Sequence, residues 1–447
     1  MAEREPIGVV GAGWVGLVTA ACFAELGHRV IVREIVPEKV ESLRRGEVPI
    51  HEPGLPEMLE RNRELLTFTT EMAELLDDGP RLLFVCVQTP PTYSGDADLS
   101  AVHRAVEELG EPDGKVLVMK STVPVGTGRT IRRDAPDLAY VSCPEFLKEG
   151  TAVKDFIEPD RVVIGADEGD EWAADAVAAV YEPLGAPIIR TDLSSAEMIK
   201  LASNAYLATK ISFINEIANV CDEVGADVTE VARGMGLDPR IGSRFLNAGL
   251  GFGGSCFPKD TQALKILAGN SGYHFQLLSS VIEVNELQKR RVMSKLSKHL
   301  DSLVGKRVAL LGLAFKPDTD DMREASSLVL AARLEGEGAR VVAFDPVAVE
   351  RAAELLPSVE MAPSALEALE GADAAVLVTE WPEFAELDWA EVARRMTNPL
   401  LVDGRNFLDP EAVRAAGIMY EAIGRPSARE RSAVTARGAP GHEAEEG

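Results

Sequence analysis

The stretch Ile7-Gly8-Val9-Val10-Gly11-Ala12-Gly13-Trp14-Val15-Gly16 decides the fold of this chain. Its apolar start predicts a short buried strand, and the glycine pattern GxGxxG follows at once. An apolar, helix-like run covers residues 17–26, and a second strand-like run covers 29–34 and ends on Glu34. Strand, glycine loop, helix, strand and acid in this order are typical of a dinucleotide-binding βαβ unit.

Each residue of the loop has a physical role in such a unit. Gly11 makes the tight turn, Gly13 lets the backbone approach a pyrophosphate at the helix N-terminus, and Gly16 lets helix pack on strand. Trp14 and Val15, between Gly13 and Gly16, are cofactor-binding candidates. The carboxylate of Glu34 can bind both ribose hydroxyls and repel a 2′-phosphate, which favours NAD over NADP.

The βα rhythm continues to about residue 193. We predict a helix over 171–181 and further strands over residues 81–87, 116–119, 138–142, 162–165 and 187–190. Parallel sheets bind ligands beyond the carboxyl ends of their strands. Four polar residues follow these strand ends and are candidates for that crevice: Thr89, Thr122, Glu145 and Glu149. The alternative is that the Thr-Pro and Cys-Pro pairs merely terminate strands.

Residues 194–300 read as helical. Ser194 and Glu197 have the spacing of a capping box, and a long helical pattern runs from there to Val224. Lys200 and Asn204 share one face of it, either buried with a task or as a solvated stripe. We predict another long helix over 275–299, and we expect these helices to join two α/β domains and to dimerise.

The loop Gly251-Phe252-Gly253-Gly254-Ser255-Cys256-Phe257-Pro258-Lys259-Asp260 carries the chemistry. Its glycines bring the backbone close to a ligand, and its thiol lies among charges, the setting of a thiolate nucleophile. The other cysteines (Cys22, Cys86, Cys143 and Cys221) fall in or beside apolar stretches typical of inert thiols. The alternative is a tight turn with an inert Cys256.

Residues 301–425 predict a second Rossmann-like sheet without GxGxxG, with strands at 306–311, 340–344, 374–378 and 400–402. Its strand-end loops carry Lys316, Arg323 and Arg405, cations that suit a nucleotide diphosphate or are ordinary surface charge. Residues 426–447 lack apolar periodicity and predict a disordered tail. The predicted fold is therefore α/β, two doubly wound parallel-sheet domains (1–193 and 301–425) joined by a long helical central domain (194–300).

Charge and composition narrow the partners. A net charge of −26 over 447 residues argues against nucleic acid, which needs a basic face. Five cysteines without framework spacing favour a reducing compartment. We expect no leader, and no apolar run in the sequence approaches the ~20 residues of a membrane span. We expect a cytoplasmic protein without membrane or metal partners.

These motifs together resemble the UDP-glucose dehydrogenases, within the wider UDP-glucose/GDP-mannose dehydrogenase family, over about residues 6–424. The resemblance is carried by GAGWVG at 11–16, GEVPIHEPGL at 46–55, KSTVPVGT at 120–127, PEFLKEG at 144–150, KLASNAYLA at 200–208, GFGGSCFPKD at 251–260 and FKPDTDDMRE at 315–324. The chain departs from the usual pattern at Glu34, Val36 and Cys143.

The resemblance implies an NAD-dependent, four-electron oxidation of a sugar C6 alcohol to a carboxylate. Cys256 would attack the aldehyde to give a thiohemiacetal, which is oxidised to a thioester that water releases. Lys200 and Asp260 would manage protons and the oxyanion, with Asn204 as an oxyanion donor and Thr122 placing a water. Glu145 or Glu149 would activate water for hydrolysis.

The resemblance also implies the contacts of both ligands. For NAD they are Glu34, Lys39, Thr89, Thr122, Glu149, Lys259 and Arg323. For UDP-glucose they are Glu145, Phe146, Leu147, Glu149, Lys200, Phe245, Leu246, Asn247, Ala248, Gly249, Gly253 and Lys316. Arg240 and Arg405 are similar candidates that would reach a neighbouring subunit's site.

Three rival interpretations stay open at this point. The chain could oxidise GDP-mannose, UDP-N-acetylglucosamine or UDP-N-acetylmannosamine; the KSTVPVGT and FLNAGLGFGGSCFPKD runs favour UDP-glucose. It could be a two-electron dehydrogenase with a structural Cys256. It could also be a non-catalytic nucleotide sensor, against which the set of Lys200, Cys256 and Asp260 argues.

Overall fold

A computed structural model describes residues 4–77, 79–110 and 114–426. The predicted tail at 426–447 lies outside the described residues except for its first residue. The described chain forms two compact units. One holds the residues up to Asn204 together with Lys259–His274, and the other holds Ala205–Pro258 and the residues from Phe275 onward.

The first unit is built on an eight-stranded sheet of order β3-β2-β1-β4-β5-β6-β7-β8. Neighbouring strands run parallel except β6 and β7, which meet antiparallel at a single residue pair. The strands are β1 (Ile7–Val10), β2 (Val30–Arg33), β3 (Leu66–Thr69), β4 (Leu82–Val85), β5 (Val116–Met119), β6 (Ala139–Ser142), β7 (Val162–Gly165) and β8 (Ile188–Thr191). The predicted strands are all present, and the half-exposed edge strand β3 is an addition.

Helices cover this sheet. They are α1 (Trp14–Glu25), α2 (Pro37–Arg44), α3 (Leu55–Arg61), α4 (Ala73–Leu76), α5 (Ser100–Leu109), α6 (Thr127–Asp134), α7 (Ala152–Ile157) and α8 (Glu171–Tyr181), with 3-10 turns at Arg63–Leu65 and Glu182–Leu184. The ring of Phe23 on α1 packs against Phe84, Phe156 and Tyr181, with centroids 4.9, 5.2 and 5.3 Å away. This buried aromatic cluster fixes α1, and with it the glycine loop, on the sheet.

The long helix predicted after residue 194 is confirmed as α9 (Leu193–Val224). Its predicted capping box is wrong, because Asp192 accepts from the Ser195 amide and hydroxyl. Glu197 instead accepts from the amides of Gly126 and Gly128 at the start of α6. The carboxylate thus anchors another helix rather than its own.

Four further helices follow: α10 (Val228–Gly236), α11 (Phe257–Asn270), α12 (Gln276–Gln288) and α13 (Arg291–Ser297). The single helix predicted over 275–299 is wrong, since α12 and α13 are separated at Lys289 and Arg290. No helix within the described ranges combines the length and apolarity that crossing a membrane demands.

The second unit contains a six-stranded, all-parallel sheet of order β11-β10-β9-β12-β13-β14. Its strands are β9 (Arg307–Leu311), β10 (Arg340–Phe344), β11 (Glu360–Met361), β12 (Ala374–Leu377), β13 (Leu400–Asp403) and β14 (Met419–Ala422). Its helices are α14 (Ser326–Gly336), α15 (Val349–Leu355), α16 (Ala365–Leu369), α17 (Pro382–Ala385), α18 (Trp389–Arg395) and α19 (Pro410–Ala415). The predicted second Rossmann-like sheet is therefore present.

Asp345, directly after β10, is fully buried, and its carboxylate accepts hydrogen bonds from five nearby donors. Its donors are the amides of Leu313, Ala314, Val347 and Ala348 and the indole of Trp381, at 2.6–3.1 Å. This position corresponds to Glu34 after β2 in the first unit. The two acids have different partners, which sets the two sheets apart chemically.

Candidate active site

The glycine loop after β1 has the geometry of a dinucleotide site. Gly11 has φ +97°, and a Cβ there would lie 2.8 Å from the Cys86 carbonyl oxygen. A Cβ on Gly16 would lie 1.9 Å from the Gly11 carbonyl oxygen. A Cβ on Gly13 would meet nothing within 4 Å, so this side of the loop faces open space. Gly11 and Gly16 therefore serve packing, and Gly13 leaves room for a phosphate.

Glu34 lies beside this loop. Its carboxylate accepts from the amides of Ala12, at 3.1 Å, and Val36, at 3.2 Å, and pairs with Lys39 at 3.3 Å. The acid is therefore held at the carboxyl end of β2, next to the turn at Gly11, where a ribose would lie. The residues present fit an NAD molecule, with Trp14 and Val15 half-buried at the start of α1.

Two of the predicted strand-end residues meet directly. The hydroxyl of Thr89, after β4, donates to the carbonyl oxygen of Thr122, after β5, at 2.8 Å. Because β4 and β5 are parallel neighbours, their carboxyl ends share one edge of the sheet. Thr89 and Thr122 therefore lie together at this edge, and their role in binding a ligand stays a prediction.

Glu145 and Lys200 form a buried ion pair. Lys200 Nζ lies 2.7 Å from Glu145 Oε1, and the two side chains are 4% and 7% exposed. Burial alone would raise the pKa of Glu145, but the Lys200 charge and hydrogen bonds from Lys200 and the Leu147 amide outweigh it and lower that pKa. Of the two alternatives for Lys200, burial with a partner is the one observed.

Phe146 lies between two cations. The guanidinium of Arg161 stacks 3.7 Å from its ring centroid, and Lys200 Nζ lies 5.4 Å from the same centroid. Cation–π contacts of this kind hold the ring in place next to the ion pair. Leu147 and Glu149 follow in the same loop and are half-buried.

A second buried polar group lies one helical turn along α9. Asn204 Nδ2 donates to Asp260 Oδ2 at 2.6 Å, and Lys259 Nζ lies 2.6 Å from Asp260 Oδ1. Asp260 is 1% exposed and lies in the first turn of α11. Lys200 and Asn204 therefore each donate a hydrogen bond to a buried acid, Lys200 to Glu145 and Asn204 to Asp260.

Cys256 directly precedes α11. Its thiol is half-buried, whereas the other four cysteines are buried. Burial raises the pKa of Cys86 to about 12 and also raises those of Cys22, Cys143 and Cys221. A position at a helix N-terminus favours a thiolate, so Cys256 has the setting that the others lack.

The glycines before Cys256 allow close approach of other groups. A Cβ on Gly251 would lie 2.6 Å from Asn285 Oδ1, and one on Gly253 would lie 2.3 Å from the Glu324 carbonyl oxygen. A Cβ on Gly254 would lie 2.7 Å from the ring of Phe315. The loop is thus tightly enclosed within the second unit, and each glycine is sterically required.

Three buried amide side chains hold the backbone of this loop and were not among the predicted site residues. Asn285 exchanges two hydrogen bonds with the backbone of Phe252, at 2.7 and 3.1 Å. Asn215 accepts from the Gly249 amide at 2.8 Å, and Gln288 donates to the Gly249 carbonyl at 2.9 Å. Polar residues inside apolar helical runs were the available signal.

The predicted sugar-nucleotide residues before this loop lie in the second unit. Phe245 has φ +66°, and its ring packs 6.2 Å from that of Phe257. Leu246, Ala248 and Gly249 are buried and Asn247 is exposed.

The predicted cations of the second unit have varied partners. Arg405 donates to the carbonyls of Val378, Gly251 and Phe315. Lys316 lies 5.4 Å from the Phe315 ring centroid, and Arg323 pairs with Asp321. Arg240 is exposed and pairs with Asp238. Arg405 thus supports the Cys256 loop, a role that its strand-end position did not predict.

Three domains of the UDP-glucose/GDP-mannose dehydrogenase family match the chain. They are the NAD binding domain over residues 5–185, the central domain over 194–287 and the UDP binding domain over 309–410. The chain belongs to this family.

Within this family the chain is similar, over nearly its full length, to several UDP-glucose dehydrogenases. The chain is 45% identical to UDP-glucose 6-dehydrogenase TuaD of Bacillus subtilis, over 95% of this chain and 94% of that protein. It is 46% identical to a UDP-glucose 6-dehydrogenase of Pseudomonas aeruginosa, over 94% and 97%. A UDP-glucose dehydrogenase structure from Pyrobaculum islandicum matches with TM-score 0.88 and 38% identity, over 95% of this chain and 99% of that one.

Proposed function

We infer that the chain is an NAD-dependent UDP-glucose 6-dehydrogenase, which oxidises UDP-glucose to UDP-glucuronate. Several relatives of this activity are 43–46% identical over nearly their full length. The observation that carries the mechanism is the half-buried thiol of Cys256 directly before α11, whose first turn presents the buried Asp260. A nucleophile and a carboxylate are thereby placed on one short segment.

NAD supplies the hydride acceptor for both oxidations when it is bound. The residues that would hold it are those of the glycine loop, Gly11 to Gly16, and Glu34, Lys39, Thr89, Thr122, Glu149, Lys259 and Arg323. Glu34 is already oriented by the Ala12 amide. The chain therefore needs only to position the cofactor and keep its ribose at this acid.

Cys256 provides the covalent step. Its sulfur adds to the C6 aldehyde, forming a C–S bond and a thiohemiacetal whose carbinol hydrogen is available for the second oxidation. That oxidation gives a thioester, and water then cleaves the C–S bond to release the carboxylate and the thiolate. Sulfur is required because a bare aldehyde has no carbinol to oxidise.

The two buried polar groups on α9 would manage protons and charge. Lys200 and Asp260 take up and return protons at C6, and Asn204 donates to the developing oxyanion. Thr122 places a water. Glu145 or Glu149 would activate the water for thioester hydrolysis.

The nucleotide sugar would be bound by residues from three stretches. They are Glu145, Phe146, Leu147 and Glu149 in the first loop, Lys200 on α9, and Phe245, Leu246, Asn247, Ala248, Gly249, Gly253 and Lys316, with Arg240 and Arg405, further along the chain. The cation–π contacts around Phe146 support its role as a fixed wall of the sugar site.

We also propose a homodimer through the central helices. Tyr206, Phe213 and Val220 recur every seven residues on α9 and are 63%, 48% and 55% exposed. Apolar residues at this spacing form one stripe along a helix and are typical of helix–helix contacts. We propose that the chain has three domains, at residues 1–193, 194–300 and 301–425, of which the middle one carries the central helices.

A cytoplasmic location is proposed from the thiols. All five cysteines are free, as expected in a reducing compartment.

The decisive experiment offers the purified chain a panel of UDP-glucose, GDP-mannose, UDP-N-acetylglucosamine and UDP-N-acetylmannosamine with NAD, and counts NADH per acid formed. We expect two NADH per UDP-glucose and little turnover of the other sugars. Strong turnover of another sugar alone would overturn the substrate, and one NADH with free aldehyde would overturn the thioester route.

A further inference from the structure

We propose that Glu52 is a positioning residue that holds two cofactor-contacting stretches in register: the glycine loop at Trp14 and the loop that carries Glu149. The inference rests on the proposed function, in which both stretches contact NAD. Glu52 belongs to the HEPGL run before α3 and was not among the predicted site residues. The sequence signal was its place in that motif.

The first connection is to the glycine loop. Glu52 is 2% exposed, and its Oε2 accepts from the indole Nε1 of Trp14 at 2.9 Å. Trp14 is the first residue of α1 and stands inside the GxGxxG pattern. The carboxylate thereby fixes the side chain at the helix end where a pyrophosphate would lie.

The second connection is to the loop after β6. The same Oε2 accepts from the Gly150 amide at 2.7 Å, and Oε1 accepts from the Ala152 amide at 2.8 Å. Gly150 directly follows Glu149, and Ala152 is the first residue of α7. Glu52 therefore holds the backbone on the C-terminal side of Glu149.

The shared oxygen makes the two connections interdependent. Trp14 and Gly150 are 136 positions apart in the sequence, yet both donate to Oε2 of Glu52. Hydrogen bonds to a buried carboxylate are stronger than those between neutral groups. A shift of one loop is therefore resisted by the other.

Glu52→Gln tests the role, because it keeps the side-chain size but replaces one accepting oxygen by an amide that donates. We expect the Kd and KM for NAD to rise about tenfold, as for the loss of charge-assisted hydrogen bonds. The KM for UDP-glucose should rise less than the KM for NAD, because only one of the two stretches, the Glu149 loop, is also proposed to contact the sugar nucleotide. Trp14→Phe, which removes one donor, should raise the Kd for NAD by roughly threefold.

Glu57→Gln is the matched control, since Glu57 is an exposed acid on α3 and should change nothing. A merely structural Glu52 would lower the melting temperature of E52Q with its Kd for NAD unchanged, which would overturn the inference. Should E52Q not fold, hydrogen exchange on the wild type decides. NAD must slow exchange of the Gly150 and Ala152 amides, and unchanged rates would overturn it.

Counting NADH for the wild type keeps this test separate from the proposed function. Two NADH per UDP-glucose together with an unaltered NAD affinity in folded E52Q would overturn the role of Glu52 alone. One NADH per sugar would overturn the thioester route, and the weaker NAD binding of E52Q would still support the positioning role.

Discussion

Lys200→Met should expose how strongly the buried ion pair with Glu145 stabilises the first unit. The side chains are 4% and 7% exposed, so methionine would leave the Glu145 charge in a nearly dry site. Removing one partner of such a pair costs about 3–5 kcal/mol. For a unit of this size we expect the melting temperature to fall by roughly 6–20 °C at neutral pH.

The stability that K200M loses should depend on pH in a defined direction. In the wild type the lowered pKa of Glu145 stabilises the fold above the ordinary carboxylate pKa, and that stability is lost as pH falls through the folded pKa. Without Lys200, only the Leu147 amide and the Lys120 charge oppose burial, so the pKa of Glu145 rises. The deficit of K200M should therefore be largest near pH 8 and shrink toward about pH 5, which thermal unfolding followed by calorimetry would measure.

Two further variants complete the test. The double variant K200M/E145Q removes both charges and should recover most of the lost stability. Lys210→Met changes a half-buried lysine on the same helix that donates to the carbonyls of Ile241 and Gly242, and should cost below about 1 kcal/mol. A deficit of K200M that is small, or that grows as pH falls, would refute the reasoning.

Three other substitutions address separate features. Cys256→Ala should lower NADH formation from UDP-glucose by at least about a thousandfold with NAD binding unchanged in a fluorescence titration; retained turnover would remove the covalent step. Burial raises the pKa of Glu197 to about 7, so its proton stabilises the fold below about pH 4.5 and that contribution, about 3 kcal/mol, is lost as pH rises to 7. Glu197→Gln should flatten the melting temperature over that interval, and an unchanged slope would contradict the assignment. If the proposed dimer forms through the α9 stripe, Tyr206→Asp should convert it to monomer in sedimentation, and a dimer of unchanged strength would exclude that stripe.

Local signals predicted most of the fold. The order of strand, glycines and helix around Gly11 depends on neighbouring residues, so the first βαβ unit followed directly from the sequence. The edge strands β3 and β11 did not, because their residues are largely half-buried or exposed and give no continuous apolar run. The break between α12 and α13 carries no glycine or proline to announce it.

The sequence suggested which residues to propose for the site, but not which residues they would contact. Cys256 stood out by its glycine-rich setting, and Lys200 and Asn204 by their polarity in an apolar run. Which acid each would meet depends on tertiary packing between distant stretches. Glu197 shows the limit: its spacing from Ser194 suggested a local cap, whereas its carboxylate serves the amides of α6.

Asp345 explains why the chain can repeat one architecture without repeating its ligand. A carboxylate that already accepts hydrogen bonds from five donors cannot also accept those of a ribose. Transplanting the residues of positions 11–16 into the turn after β9 would therefore not create another nucleotide pocket of the same kind. In the second sheet the acid after β10 therefore stabilises the surrounding loops and does not recognise a ribose. Any ligand of this sheet must be bound by its other loops.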